Sequence, residues 1–196
     1  MDTAEYKIYE AFKNEKALKN ISRDDSLNKL FEFSAKANAF IYDDDALGYS
    51  HFVSDTKGLG VDKTFIVENK NHQRLFFMKI DGVLFSKKSK CDCALLFGKE
   101  IDFIEFKTNA VNKTDDTREA HYAKIYNQLK ITIDTFEKSY HTVGMIFREV
   151  FPKIQAYGVF NPTVPHNPST EKFLSAKFAL ETKVKLHFTN KRRIDE

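Results

Sequence analysis

The chain has 196 residues, is 42% hydrophobic and 30% charged, and carries a net charge of +3 with a pI near 8.7. That composition excludes a disordered or low-complexity chain and suits one domain, residues 1–196, with a substantial core; the mild basicity permits nucleic-acid binding without arguing for it. No stretch is apolar enough for a signal peptide or membrane span, and Cys91 and Cys93 are the only cysteines, so a disulfide-rich secreted protein is excluded and a soluble cytoplasmic one expected.

Residues 1–45 read as N-terminal helices. A first helix over residues 4–19 turns Ala4, Ile8, Ala11, Phe12 and Leu18 toward the core. A second starts from a cap at Asp24, Asp25 or Ser26 and runs through Leu27, Leu30, Phe31, Ser34, Ala37, Asn38 and Ile41 at spacings of three and four. Asp43, Asp44 and Asp45 lack the spaced pattern of a calcium loop and read as a solvated turn. Residues 46–63, with Gly48, Gly58 and Gly60, read as a long loop. Thr64 to Glu68 and Leu75 to Ile80 read as a hairpin across the polar residues 69–74, with Glu68 a strand-end charge and His72 an exposed loop residue. Asp81-Gly82 marks a turn before Val83 to Phe85.

The stretch from Lys90 to Lys107, KCDCALLFGKEIDFIEFK, holds two apolar runs joined by Gly98-Lys99-Glu100, the composition of a hairpin. Asp92, Ala94 and Leu96 share one face of the first strand; Ile101, Phe103, Glu105 and Lys107 share one face of the second. Both faces are largely apolar, as in strands covered on both sides, where a charge is costly unless paired or bound to a metal. Two carboxylates and an ammonium gathered across a hairpin make a hard-oxygen site for Mg²⁺ with a lysine beside it. The alternative is an ion pair between Lys107 and one carboxylate without catalysis.

Asp92 followed by Glu105-Phe106-Lys107 inside an apolar strand resembles the PD-(D/E)XK nuclease superfamily, with Cys91 where that motif usually has proline. The resemblance spans a core of residues 64–160 in element order and implies a restriction-endonuclease-like fold. It makes Asp92 and Glu105 ligands of Mg²⁺ or Mn²⁺, with the backbone carbonyl of Phe106 as a third. Lys107 would position or activate the attacking water and stabilise charge on the phosphate. An acid from an N-terminal helix often joins such a site, and Glu32 is a candidate.

After the polar connection 108–114, Asp116 and Glu119 have the form of a capping box. Tyr122, Tyr126, Leu129, Ile133, Phe136 and Tyr140 then form the stripe of a helix of about twenty residues or more lying on a sheet. His121, Ile125, Gln128 and Thr132 share a flanking line. In the resembled superfamily a glutamine of this helix lies near the catalytic centre, which makes Gln128 a candidate substrate-orienting residue; otherwise it is an ordinary surface amide. Thr142 to Phe147 and Gln155 to Phe160 read as strands, Pro162 to Pro168 as a proline-punctuated loop and residues 170–181 as a helix. Val184 to Phe188 reads as a last strand, so that residues 170–196 end in a strand and a basic tail. Lys87-Lys88 with Lys90, and Lys191-Arg192-Arg193, either hold phosphates or are solvated.

The fold class expected is α/β (α+β mixed), a central mixed β-sheet flanked by helices. The function expected is a Mg²⁺-dependent nuclease, a hydrolase of DNA phosphodiesters with RNA less favoured, acting in restriction, defence or repair. No recognition module is present in the sequence, so a homodimer or partner protein would supply target recognition; no membrane is involved. The alternative is a catalytically inactive nuclease-fold module that binds nucleic acid or a protein. A thiol-based redox protein would need Cys91 and Cys93 exposed with low pKa.

Overall fold

A computed structural model describes residues 3–57, 59, 63–85, 89–108, 115–161 and 166–194. The basic pair Lys87-Lys88, the connection 109–114, the Asp116 side chain and the prolines Pro162 and Pro165 lie outside the described residues.

Two helices open the chain, α1 (Ala4–Phe12) and α2 (Arg23–Leu30), the second capped by the Ser22 hydroxyl, which accepts from the Asp25 amide at 3.2 Å. Both are shorter than the periodicity predicts. Phe31 leaves α2 in an extended conformation, and the chain continues as β1 (Phe31–Ser34), β2 (Asn38–Asp44) and β3 (Tyr49–Val53). The expected second helix therefore gives way to strand after Leu30, and the expected long loop holds the strand β3. Next come β4 (Thr64–Glu68), β5 (Leu75–Lys79), β6 (Cys93–Phe97) and β7 (Glu100–Lys107). The long α3 (Asp115–Thr142) and short α4 (Phe147–Val150) lead to β8 (Lys153–Phe160), α5 (Pro168–Thr182), β9 (Lys185–Phe188) and β10 (Lys191–Arg193).

A six-stranded sheet runs β1-β5-β6-β7-β8-β9; it is antiparallel as far as β7 and parallel from β7 to β9, with α3 and α5 as the crossovers. A four-stranded sheet runs β10-β4-β2-β3. The expected mixed α/β architecture is present, with the helices on one face of the larger sheet and the smaller sheet on the other. β4 and β5 fall in different sheets, so they are not the expected hairpin; buried Asn69 turns the chain between them, its amide donating to the carbonyls of Lys36 at 3.1 Å and Gln73 at 2.8 Å. Residues 81–85 form a turn with one bridge, Asp81 to Phe85, rather than a strand. The expected strand at Thr142 to Phe147 is instead the end of α3, where Gly144 (φ +74°) takes the left-handed conformation, followed by α4.

Both faces of the central strands are covered, which accounts for their nearly continuous apolar sequence. Ala94, Leu96, Ile101 and Phe103 pack under Ile8 and Phe12 of α1 and the α3 stripe, in which Tyr122, Tyr126, Leu129, Ile133, Phe136 and Tyr140 are all buried as expected. Cys93, Leu95, Ile104 and Phe106 pack against Ala39, Ile41, Phe65 and Val67 of the smaller sheet. The hairpin turn is Gly98-Lys99, and the positive φ that a two-residue turn demands falls on Gly98 (φ +55°).

Candidate active site

The chain enters β6 through a bend at Asp92 that is held from three directions. Its backbone carbonyl accepts from the amides of Ile80 at 3.2 Å and Asp81 at 3.1 Å, while its carboxylate oxygen Oδ2 accepts from the Phe106 amide of β7 at 2.6 Å. From the helical layer, Gln128 Nε2 donates to the Lys90 carbonyl at 2.9 Å. The Cys91 amide donates to Thr132 Oγ1 at 2.8 Å, and that hydroxyl donates to the Gln128 carbonyl at 2.7 Å. Gln128 is thus no free surface amide: it anchors the segment that presents Asp92. Close approach of α3 to the sheet depends on Gly158, which lies beside Glu105 in the β7–β8 register; a Cβ there would come 2.8 Å from Ile125 Cγ2.

Glu105 is fully buried, and Lys107 Nζ donates both to its Oε1 and, at 3.1 Å, to the Phe106 carbonyl. The other carboxylate oxygen, Glu105 Oε2, is buried with no hydrogen-bond partner among the described residues. Burial first, then the charge of Asp92, holds Glu105 well above the usual carboxylate range, with Lys107 opposing. Asp92 is pushed up to about 7 by its own burial and next by Asp43, with Lys107 and the Phe106 amide opposing.

Asp92, Lys107 and Gln128 line a cavity of about 680 Å³. Asp43, Asp44, Asp45 and Asp81 form its acidic side; His121, Lys124 and Asn127 of α3 form the opposite one. Glu105 lies behind Lys107 and is not part of the lining. The acidic triplet is therefore a solvated turn only in part: Asp43 and Asp44 end β2, and Asp45 is exposed in the turn that follows. Asp43 continues the inward alternation of Ala39 and Ile41 on β2, receives the Ser50 hydroxyl at 3.4 Å, and has its pKa raised by burial and by Asp45. That alternation was the signal in the sequence, masked by assigning the segment to a helix. Asp81, Ser89, His121, Lys124 and Asn127 are further polar cavity residues that sequence reasoning did not single out for the site. His121 Nδ1 is buried without a partner, and its pKa is lowered by burial, Lys124 and Lys107.

Other candidates fall elsewhere. Glu32 lies on β1, where it pairs with Lys79 at 2.7 Å and accepts from the Phe52 amide at 3.0 Å. The basic tail is taken up by acids: Lys191 and Arg193 pair with Glu68, at 2.5 and 3.1 Å, and Arg192 pairs with Glu100 and Asp102. Cys91 and Cys93 are free and buried on opposite faces of the sheet, and burial pushes both thiols well up, which removes the thiol-redox reading.

Among the described residues no group of three or more His, Cys, Asp and Glu side chains forms a ready-made metal cage. The donors that are present, the carboxylates of Asp92 and Glu105 and the carbonyl of Phe106, are hard oxygens suited to a divalent cation, and the orphaned Glu105 Oε2 is an atom that such a cation would satisfy. Fold and site together define a mixed α/β protein with a buried carboxylate–lysine centre beside an open polar cavity. Family models, curated proteins and solved structures yield no match to the chain. No described helix is long and apolar enough to cross a membrane.

Proposed function

We propose that the protein is a metal-dependent nuclease of the PD-(D/E)XK type that hydrolyses DNA phosphodiesters. The observation that carries the reading is the pairing of a buried carboxylate, Glu105, and a half-buried one, Asp92, with Lys107 at the edge of a cavity, one Glu105 oxygen having no partner among the described residues. Their setting on adjacent strands of a mixed sheet, with Gln128 on the following helix, is also what the resemblance implies.

Asp92, Glu105 and the Phe106 carbonyl would hold Mg²⁺ or Mn²⁺, whose chemistry is to polarise the phosphate and to lower the pKa of bound water. Lys107 reaches the cavity while touching Glu105, so its ammonium is placed to stabilise negative charge building up on a phosphate and to orient the attacking water. Gln128 keeps Asp92 in position through the Lys90 carbonyl. The acidic wall concentrates cations and the α3 wall offers Lys124 and Asn127 to the substrate.

The enclosure of Glu105 behind Lys107 favours a second reading, a nuclease-fold module that binds nucleic acid or a protein without cutting. A cleavage assay on plasmid, linear and single-stranded DNA and on RNA, with Mg²⁺, Mn²⁺ or chelator, separates the two. Metal-dependent cutting that falls at least ~100-fold in both Asp92→Ala and Lys107→Ala is expected. Wild type and variants that are folded, by circular dichroism, and equally inert would reject the enzyme.

A further inference from the structure

A second cavity, of about 490 Å³, adjoins the first and shares Ser89 with it. Phe85 supplies an aromatic wall, and Lys16, Lys29 and Lys90 surround it with Glu15 as the one acid among the described lining residues. The volume lies within the range of small-ligand pockets. Lys90 joins the two cavities. Gln128 fixes its backbone carbonyl on the Asp92 side, while its ammonium lies 5.6 Å from the centroid of the Phe85 ring. That ammonium is half-buried and, among the described residues, forms no salt bridge. A half-buried cation without a salt bridge favours an anion beside it.

We propose that this second cavity receives an unpaired nucleotide next to the scissile phosphate, its base against Phe85 and its phosphate at Lys90, so that the substrate is single-stranded DNA. The inference rests on the nuclease reading of the neighbouring site. An aromatic face with adjacent lysines is what a stacked base and its phosphate require. Lys90 and Asp92 are separated by at most about 7 Å of chain, so one strand reaches both. A base enclosed between protein walls has left its complementary strand, which is why the pocket selects against intact duplex.

The test is equilibrium binding of a short fluorescent single-stranded oligodeoxynucleotide and of the corresponding blunt duplex, by anisotropy in chelator, alongside the cleavage assay. Wild type is expected to bind the single strand at least ~10-fold more tightly than the duplex, and Phe85→Leu to lose most of that preference, since stacking one base contributes about 10-fold or more. Phe85 also meets Phe12 edge-on at 5.7 Å, so leucine is used to keep the packing. Lys90→Met, which leaves the backbone anchor in place, should weaken single-strand binding and reduce its salt slope by about one. Equal affinity for duplex and single strand, or a preference untouched by both variants, overturns the inference. A protein that cuts both forms equally well fails this inference alone; one that never cuts yet shows the Phe85-dependent preference keeps the nucleotide pocket and fails the nuclease reading alone.

Discussion

β7 carries a buried charged cluster near each end, and the two are built differently. At its start, Glu100 and Asp102 meet Arg192, at 2.5 and 2.9 Å, and Glu100 also meets Lys153 at 2.7 Å and the Gln155 amide at 2.5 Å. Two carboxylates face two cations there, and the guanidinium ties β10 of the smaller sheet to the larger one. At its end, Asp43, Asp81, Asp92 and Glu105 gather around Lys107 beside an open cavity. Each cluster leaves one buried carboxylate oxygen without a partner, Asp102 Oδ1 and Glu105 Oε2, so an orphaned atom alone does not mark a site. Excess negative charge with access from solvent does: among the described residues four carboxylates share one lysine, which favours a further cation.

The largest effect that would sharpen this contrast is on stability. Arg192→Met strips both carboxylates of their main cation and should lower the unfolding free energy by about 3–5 kcal/mol in urea denaturation. Asp92→Asn removes a charge from an already over-acidic cluster, so the same measurement should give an unchanged or higher stability while metal-dependent cleavage is lost. If Asp92→Asn destabilises as much as Arg192→Met, both ends of β7 are structural and the contrast collapses.

The central part of this site was legible because it is local. The Lys90–Lys107 hairpin, the α3 stripe and the Gln128 line are each set by residues within one or two elements, and period and turn chemistry suffice to place them. The rest depends on partners distant in sequence. Phe31 and Phe33 alternate as a strand and also fit a helical spacing with Leu27 and Leu30; pairing with β5, Phe31 opposite Met78, decides between them. The run Lys191-Arg192-Arg193 carries no apolar signal at all and becomes a strand because it lies parallel to β4 and neutralises Glu68, Glu100 and Asp102. Asp43 joins the site only once β2 is recognised as a strand, which is why the acidic wall of the cavity could not be read from the triplet alone.

A pH titration tests the contrast at intermediate size. Asp92, Glu105 and Asp102 all have folded pKa values above the ordinary carboxylate range, Asp92 and Asp102 at about 7. For Asp92 and Asp102 the folded state then binds more protons than the unfolded one between about pH 4 and 7, so stability should fall as pH rises through that window, and Glu105 adds to the same fall. Only the cavity end can respond to a divalent cation. At pH 8, Mg²⁺ at about 100 times its dissociation constant should restore about 2.7 kcal/mol, read as a shift in the thermal midpoint, and the gain should vanish in Asp92→Asn. A Mg²⁺ gain of the same size in that variant would move the cation away from Asp92.

The smallest effects separate the two glutamines that serve the two ends. Gln128 holds the Lys90 carbonyl and Gln155 holds Glu100, each through one side-chain amide. Replacing Gln128 by alanine leaves the Lys90 carbonyl short of one bond, and replacing Gln155 does the same to Glu100 and also removes the contact of its Oε1 with His187 Nε2 at 2.9 Å; each should cost about 1–3 kcal/mol of stability, too similar to tell them apart. Cleavage does tell them apart. In Gln128→Ala the segment before Asp92 loses its anchor to α3, so kcat should fall roughly tenfold with KM little changed, because the interaction lost is one that aligns the reacting groups rather than one that holds substrate. In Gln155→Ala both parameters should stay at wild-type values, since the cluster it serves lies at the other end of β7 from Asp92 and Lys107. A Gln155→Ala enzyme impaired as much as Gln128→Ala would mean that the ends communicate along the strand, and that the closed cluster supports the geometry of the open one.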